Sequence, residues 1–345
     1  MRIGGGREAW RGFARTFAAA ASVAAAVAAG FIAAFDPYGL RAAPGRPSGP
    51  LMDLNQRFMY PQVVRSRAYD AAVFGTSTAR LLDPRDLDRA FGARFANLAM
   101  NAATPWEQVQ LAALFLRETR PKALILSLDA TWCEADADAK RLTGRAFPPW
   151  LYGDAPWGGF LRQVNLRSLE IAGRVAANRL LGEARAPARI RGDGFEVFVP
   201  PDETYDDARA RALIHGGDRD DAPASGPIET PALAWLEDLL AKAPPEALRI
   251  VAFMPVHVAA QGRPGGARAE RDRVCKARAA AIARRAGATT VDFRIPSPVT
   301  TRDANYWDAL HYRLPIGARV VEGLRRAVET GRDDPDGIYT VVPPA

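Results

Sequence analysis

The chain has 345 residues, 48% hydrophobic and 25% charged, an ordinary globular composition that excludes a disordered, collagen-like or disulfide-dense miniature protein. The 46 Lys and Arg against 39 Asp and Glu give a net charge of +7, but the basic residues are mostly Arg scattered among acids. That is not the clustered footprint of a nucleic-acid binder, and no nucleic-acid partner is expected. Only two cysteines occur, Cys133 and Cys275, with no C-x-x-C, so no thiolate metal site and no cofactor is expected. The two can pair in an oxidising compartment, yet small buried hydrophobes in isolation is the preferred reading of each.

Residues 1–15 form a basic leader carrying Arg2, Arg7, Arg11 and Arg15. Residues 16–35 follow without one charge, and eleven of the twenty are alanine. As a helix rising ~1.5 Å per residue this stretch reaches about 30 Å, the hydrocarbon thickness of a bilayer. The preceding arginines keep the N-terminus cytoplasmic and send the rest across, an inner-membrane, single-pass arrangement with a periplasmic or otherwise extracytoplasmic domain. Small residues at A-x-A spacing also suit a cleavable signal peptide, but the apolar run exceeds the usual signal core, which favours a retained anchor. Residues 36–60 open with a tract dense in Pro and Gly and read as a linker.

A domain is expected over residues 61–335, with a tail at 336–345. Short apolar runs at 71–74, 95–100, 123–128, 248–254 and 290–293 suit strands covered on both faces. Between them lie helical patterns. Thr104-Pro105-Trp106-Glu107 is a capping box ahead of Val109, Leu111, Leu114 and Leu116, and further helices are expected at 231–242 and 270–286. The last pattern places Ile316, Val320, Leu324 and Val328 on one stripe behind Pro315. Such alternation predicts an α/β fold with a parallel, doubly wound sheet. It breaks over 130–230, which reads as an insertion above the carboxyl edge of the sheet, with a helix over 160–181. Trp150, Tyr152 and Trp157 there suggest either a carbohydrate platform or buried packing.

Three features gather where such a sheet collects its chemistry. Ser77, in Gly75-Thr76-Ser77-Thr78, ends the first strand on a turn that a glycine permits. Asp308-Ala309-Leu310-His311 precedes the last helix, and a carboxylate three residues before an imidazole can hold Nδ1–H while Nε2 faces a nucleophile. Between them, main-chain N–H groups around Asn101 and Ala102, together with the Asn101 amide, can meet a developing oxyanion. His257 ends the fourth strand on the same edge and is a candidate substrate contact. Asp129, at the end of the third, is a candidate to orient a substrate hydroxyl or His257, with helix capping as its simpler role. His215 reads as a surface residue in a Gly/Asp-rich loop. A metal-dependent phosphoesterase would need ligands that three histidines do not assemble.

Gly75-Thr76-Ser77, the block from Asn97 to Thr104 and Asp308-Ala309-Leu310-His311 resemble blocks I, II and V of the SGNH/GDSL hydrolases over residues 68–330, excluding the insertion. The anchored layout is similar to the branch related to the alginate O-acetylation proteins and the D-alanyl transfer protein of lipoteichoic acid modification. This resemblance implies a flavodoxin-like three-layer α/β/α fold with a five-stranded sheet in order 2-1-3-4-5. It implies Ser77 as nucleophile, His311 as general base and Asp308 as its orienting partner. The third strand runs into Leu128-Asp129-Ala130-Thr131-Trp132, without the asparagine of the family's block III, a loss that fits the acetylation-associated branch. The expected function is a serine esterase or O-acyltransferase acting on cell-envelope or extracellular polysaccharide. Its partners would be an acylated carbohydrate or acyl donor and a membrane-bound acyltransferase. The alternative is a non-catalytic SGNH-shaped scaffold or carbohydrate-binding component of an envelope polysaccharide assembly.

Overall fold

The computed structural model describes residues 5–41, 43–47, 49–154, 159–217 and 226–342. The alanine-rich N-terminus is one helix, α1 (Gly5–Phe35), long and apolar enough to span a membrane or to be a signal sequence. It stops where Asp36 adopts φ 47°, ahead of Pro37, and the Asp36 carboxylate accepts the N–H groups of Leu40 and Arg41. After α2 (Gln56–Arg65) come β1 (Ala71–Phe74), α3 (Pro84–Phe91), β2 (Phe95–Asn97), α4 (Pro105–Glu118) and β3 (Ala123–Ser127). Thr104 and Glu107 cap α4 reciprocally, as their spacing requires. The insertion then supplies α5 (Phe160–Gln163), α6 (Leu166–Leu181) and α7 (Asp207–His215), and α8 (Leu233–Lys242) follows it where a helix was expected. The chain ends with β4 (Leu248–Phe253), α9 (Ala267–Arg285), β5 (Thr289–Asp292), α10 (Leu314–Thr330) and β6 (Thr340–Val341).

The six strands form one sheet in the order β2-β1-β3-β4-β5-β6, parallel except for β6, which pairs antiparallel with β5. The sixth strand lies in the segment expected to be a tail. Alternate residues of each central strand enter opposite cores. Phe74, Leu126 and Phe253 pack on one face with Leu111 of α4, Leu236 of α8 and Cys275 of α9. Val73, Ile125 and Ile250 pack on the other with Leu87 of α3 and the Ile316–Val320–Leu324 stripe of α10. Apolar side chains are therefore needed at consecutive positions, and these strands show runs without alternation for that reason.

Residues 36–60 are not a free linker. Tyr38, Leu51 and Met52 are buried, the Tyr38 hydroxyl lies 2.9 Å from Ser168 of α6, and the segment ends in α2. The helix expected over 160–181 is interrupted at Val164 and Asn165, where the Asn165 side chain caps α6 by accepting the Ser168 N–H at 2.9 Å. Trp150 meets Tyr38 edge-on and Tyr152 stacks on Phe147, so these two aromatics serve packing, while Trp157 lies outside the described residues. Cys133 and Cys275 are joined as a disulfide with Cα atoms 5.5 Å apart, which corrects their reading as isolated hydrophobes.

Candidate active site

Ser77 opens a single 3-10 turn, Ser77–Ala79, immediately beyond β1. Gly75 is required there because a Cβ at that position would lie 2.7 Å from the Ser127 Cβ of the neighbouring strand. The turn is held from β2: Asn97 Nδ2 donates to the carbonyls of Ala79 and Leu82, both at 2.9 Å. The close approach of Gly75 to Ser127 and the two Asn97 bonds thus hold the Ser77 turn at the carboxyl edge of the sheet.

Asp308 and His311 sit on the tip of a hairpin. Tyr306 and Tyr312 bridge antiparallel, and the Trp307 N–H donates to the His311 carbonyl at 2.9 Å. Asp308 Oδ1 accepts the N–H groups of Leu310 and His311, which turns Oδ2 toward His311 Nδ1 at 2.8 Å. His311 Nε2 lies 2.9 Å from Ser77 Oγ, so residues 234 apart in sequence complete one continuous Ser–His–Asp hydrogen-bonded chain. Burial raises the Asp308 pKa, but the His311 bond and charge and the two backbone N–H groups outweigh it and hold the carboxyl below its ordinary value. An ionised Asp308 keeps the proton on Nδ1, leaving Nε2 to accept the serine O–H.

A cleft of about 340 Å³ opens beside Ser77, lined among others by Ala102, Thr131, Val256, Arg271 and Leu310. Ala102 holds φ 50°, an uncommon conformation for a residue with a side chain. Among the described residues, the main-chain N–H groups of Ser77 and Ala102 meet no acceptor, and both residues line the cleft. The Asn101 side chain does not line the cleft. The main-chain carbonyl of Asn101 accepts Arg57 Nη1 at 3.1 Å.

Asp129 lines the cleft but faces its own turn, capping residues 130–133 through the N–H and hydroxyl of Thr131. It does not orient His257. His257 is 1% exposed and stands behind the site: Ala259 N–H donates to its Nδ1 at 3.1 Å, and its Nε2 lies 3.0 Å from Asp303. His215, expected at the surface, lies 3.1 Å from the same carboxylate with its ring edge-on to His257. The three ligand atoms come within 4.8 Å of one another, close enough to hold a metal ion. Yet the bond at Nδ1 places the His257 proton on the nitrogen a metal would need, and Arg211 already lies 3.4 Å from Asp303. The set is better described as a clamp tying α7 to the turn that leads into the hairpin bearing Asp308 and His311. Burial raises the Asp303 pKa, and the His215 bond with the surrounding positive charge pulls it below its ordinary value.

A comparison with protein-family models and with curated proteins gives no match for this chain.

The structure adds groups that local motifs do not announce. Phe198, from the insertion, meets the His311 ring edge-on at 5.4 Å, and Arg80 stacks on its other side while pairing with Glu196. Arg57 and Glu107, both fully buried, form a bidentate ion pair behind the Asn101–Ala102 turn. Glu107 was visible in the sequence as half of a capping box; its second partner lies 50 residues away and leaves no local trace.

Proposed function

We propose that the chain is a membrane-anchored, extracytoplasmic serine esterase or O-acyltransferase of SGNH type, acting on an acylated carbohydrate or acyl donor. The single observation that carries this reading is the 2.9 Å contact of His311 Nε2 with Ser77 Oγ at the mouth of the cleft. As Oγ bonds to the acyl carbon, its proton passes to His311 Nε2 and Asp308 stabilises the imidazolium. The carbonyl oxygen gains the negative charge and faces the Ser77 and Ala102 N–H groups. Collapse breaks the bond to the leaving alkoxide, which takes the proton back from Nε2 and leaves an ester on Ser77. A water or sugar hydroxyl, deprotonated by the same imidazole, then resolves the ester and regenerates the serine.

The compartment is supported by the disulfide, which persists in an oxidising environment, and the anchor by Ile32 of α1, whose burial against the rest of the chain favours retention of the helix over its removal. The cleft combines apolar Val256 and Leu310 with Thr131 and Arg271, a lining suited to a small acyl group beside a hydroxyl-rich acceptor. The strand order β2-β1-β3-β4-β5 agrees with a flavodoxin-like SGNH layout. The scaffold reading draws on Asp129, an acceptor in the place where block III would supply a third oxyanion donor. One assay separates them. The purified full-length chain in detergent should release p-nitrophenol from p-nitrophenyl acetate, and Ser77→Ala should lower that rate about 10³-fold or more. Equal rates for the two proteins would leave the scaffold standing.

A further inference from the structure

We propose that α6 is a membrane-interfacial helix, its exposed face set into the boundary between headgroups and acyl chains of the bilayer that α1 crosses; the inference rests on the reading of α1 as a retained anchor. The uncharged part of α1 is residues 16–35, and about 20 apolar residues are needed to cross ~30 Å of hydrocarbon. Its last two turns are not free to lipid on all sides. Ile32 is 1% exposed, its neighbours Phe31 and Ala33 are half-buried, and α6 is the helix packed against α1. Only residues 16–27 are both uncharged and clear of the domain apart from the chain's own turn, a length of about 18 Å. Sliding the span toward the N-terminus would draw Arg15 and then Arg11 into hydrocarbon, which is strongly unfavourable. The bilayer must therefore reach along the part of α1 that α6 covers, to a depth of about 12 Å.

The surface of α6 is built for that position. Leu161 and Leu166 are 84% and 85% exposed, and Leu180 and Leu181 are 76% and 55% exposed. With Val164 they make up five of the eleven large apolar side chains left open outside α1 among the described residues, a concentration that scattered surface leucines do not show. On the helix, Leu166, Leu180 and Leu181 share one outward stripe, interrupted by the single charge of Glu170. Arg162 of α5, just ahead of the helix, is exposed and available to anionic headgroups as the apolar stripe enters the acyl boundary.

The test uses the full chain reconstituted in phosphatidylcholine–phosphatidylglycerol vesicles, with a bimane label on Leu166→Cys, Leu180→Cys or, as a control on α7, Leu213→Cys. Leu213 is 54% exposed, and α7 packs against the turns at 258–260 and 303–305, so it reports an exposed position off the proposed surface. Brominated lipid should quench the labels at 166 and 180 roughly threefold or more over that at 213, and aqueous iodide should show the reverse order. Labels at 166 and 180 as open to iodide as that at 213 overturn the proposal. Labels shielded from both quenchers also overturn it and indicate a protein cover, a second copy or a partner. Intact mass of the vesicle-bound chain separates the two levels: loss of α1 fails the anchor reading and this inference together, whereas retained α1 with an iodide-open α6 fails this inference alone.

Discussion

At the scale of single residues, the hairpin backbone decides which oxygen of Asp308 does what. Oδ1 is committed to the Leu310 and His311 N–H groups, so only Oδ2 faces the imidazole. Asp308→Asn should keep that arrangement, with the new carbonyl oxygen on the backbone donors and the NH₂ group toward Nδ1. The imidazole would then carry its proton on Nε2 and could no longer take one from Ser77. Esterase activity on p-nitrophenyl acetate is expected to fall about 10³–10⁴-fold with the fold unchanged by circular dichroism. Wild-type acylation by this variant would show that the carboxylate does not set the tautomer. Ser77, Asp308 and His311 were legible in sequence because each rule is local: a glycine that permits a turn, and two side chains three residues apart. Phe198, Arg80 and Asp303 were not, since each matters only through partners more than 40 residues distant. His257 was placed on the correct edge, but nothing in Met254-Pro255-Val256-His257 reveals which way the ring turns.

At the scale of elements, the turn carrying Ala102 is held by helices on both sides. Arg57 of α2 spans to Glu107 of α4 and donates to the carbonyls of Asn101 and Ala102, at 3.1 and 3.3 Å. Both charges are fully buried, so removing one leaves the other desolvated and unpaired. Arg57→Met should cost about 3–5 kcal/mol in urea unfolding of the detergent-solubilised chain. The double variant Arg57→Met, Glu107→Leu should recover most of that stability, because apolar side chains tolerate the site once neither charge remains. It should not recover activity, and kcat should fall with little change in KM, because the Ala102 N–H loses its support. A double variant with full kcat would make the ion pair structural only. The sequence gave warning of the capping box and no warning of Arg57. The same limit explains the linker misreading. Density of Pro and Gly over residues 36–50 reports on backbone irregularity, but it does not report burial, and Tyr38, Leu51 and Met52 are core residues all the same. Strand positions were legible to within about three residues because burial on both faces writes itself as an unbroken apolar run.

At the scale of the whole molecule, the disulfide joins the end of β3 to α9 across 142 residues and encloses the entire insertion. Cys133 also lines the cleft, so one bond closes the wall of the site and restrains the part of the chain that covers it. Both sulfurs belong to core residues, Cys133 and Cys275 being 2% and 0% exposed. A loop this long removes a large share of the conformational freedom of the unfolded chain, and stabilisation of about 2–5 kcal/mol is expected from it. Unfolding of the detergent-solubilised chain in urea, followed by tryptophan fluorescence, should therefore move to lower urea when a strong reductant is present during equilibration. Cys133→Ala with Cys275→Ala should reproduce the reduced midpoint and respond no further to reductant. An unchanged wild-type midpoint under reduction would mean that the two thiols are not bonded in solution, and would leave the extracytoplasmic placement to the arginines that precede the apolar run.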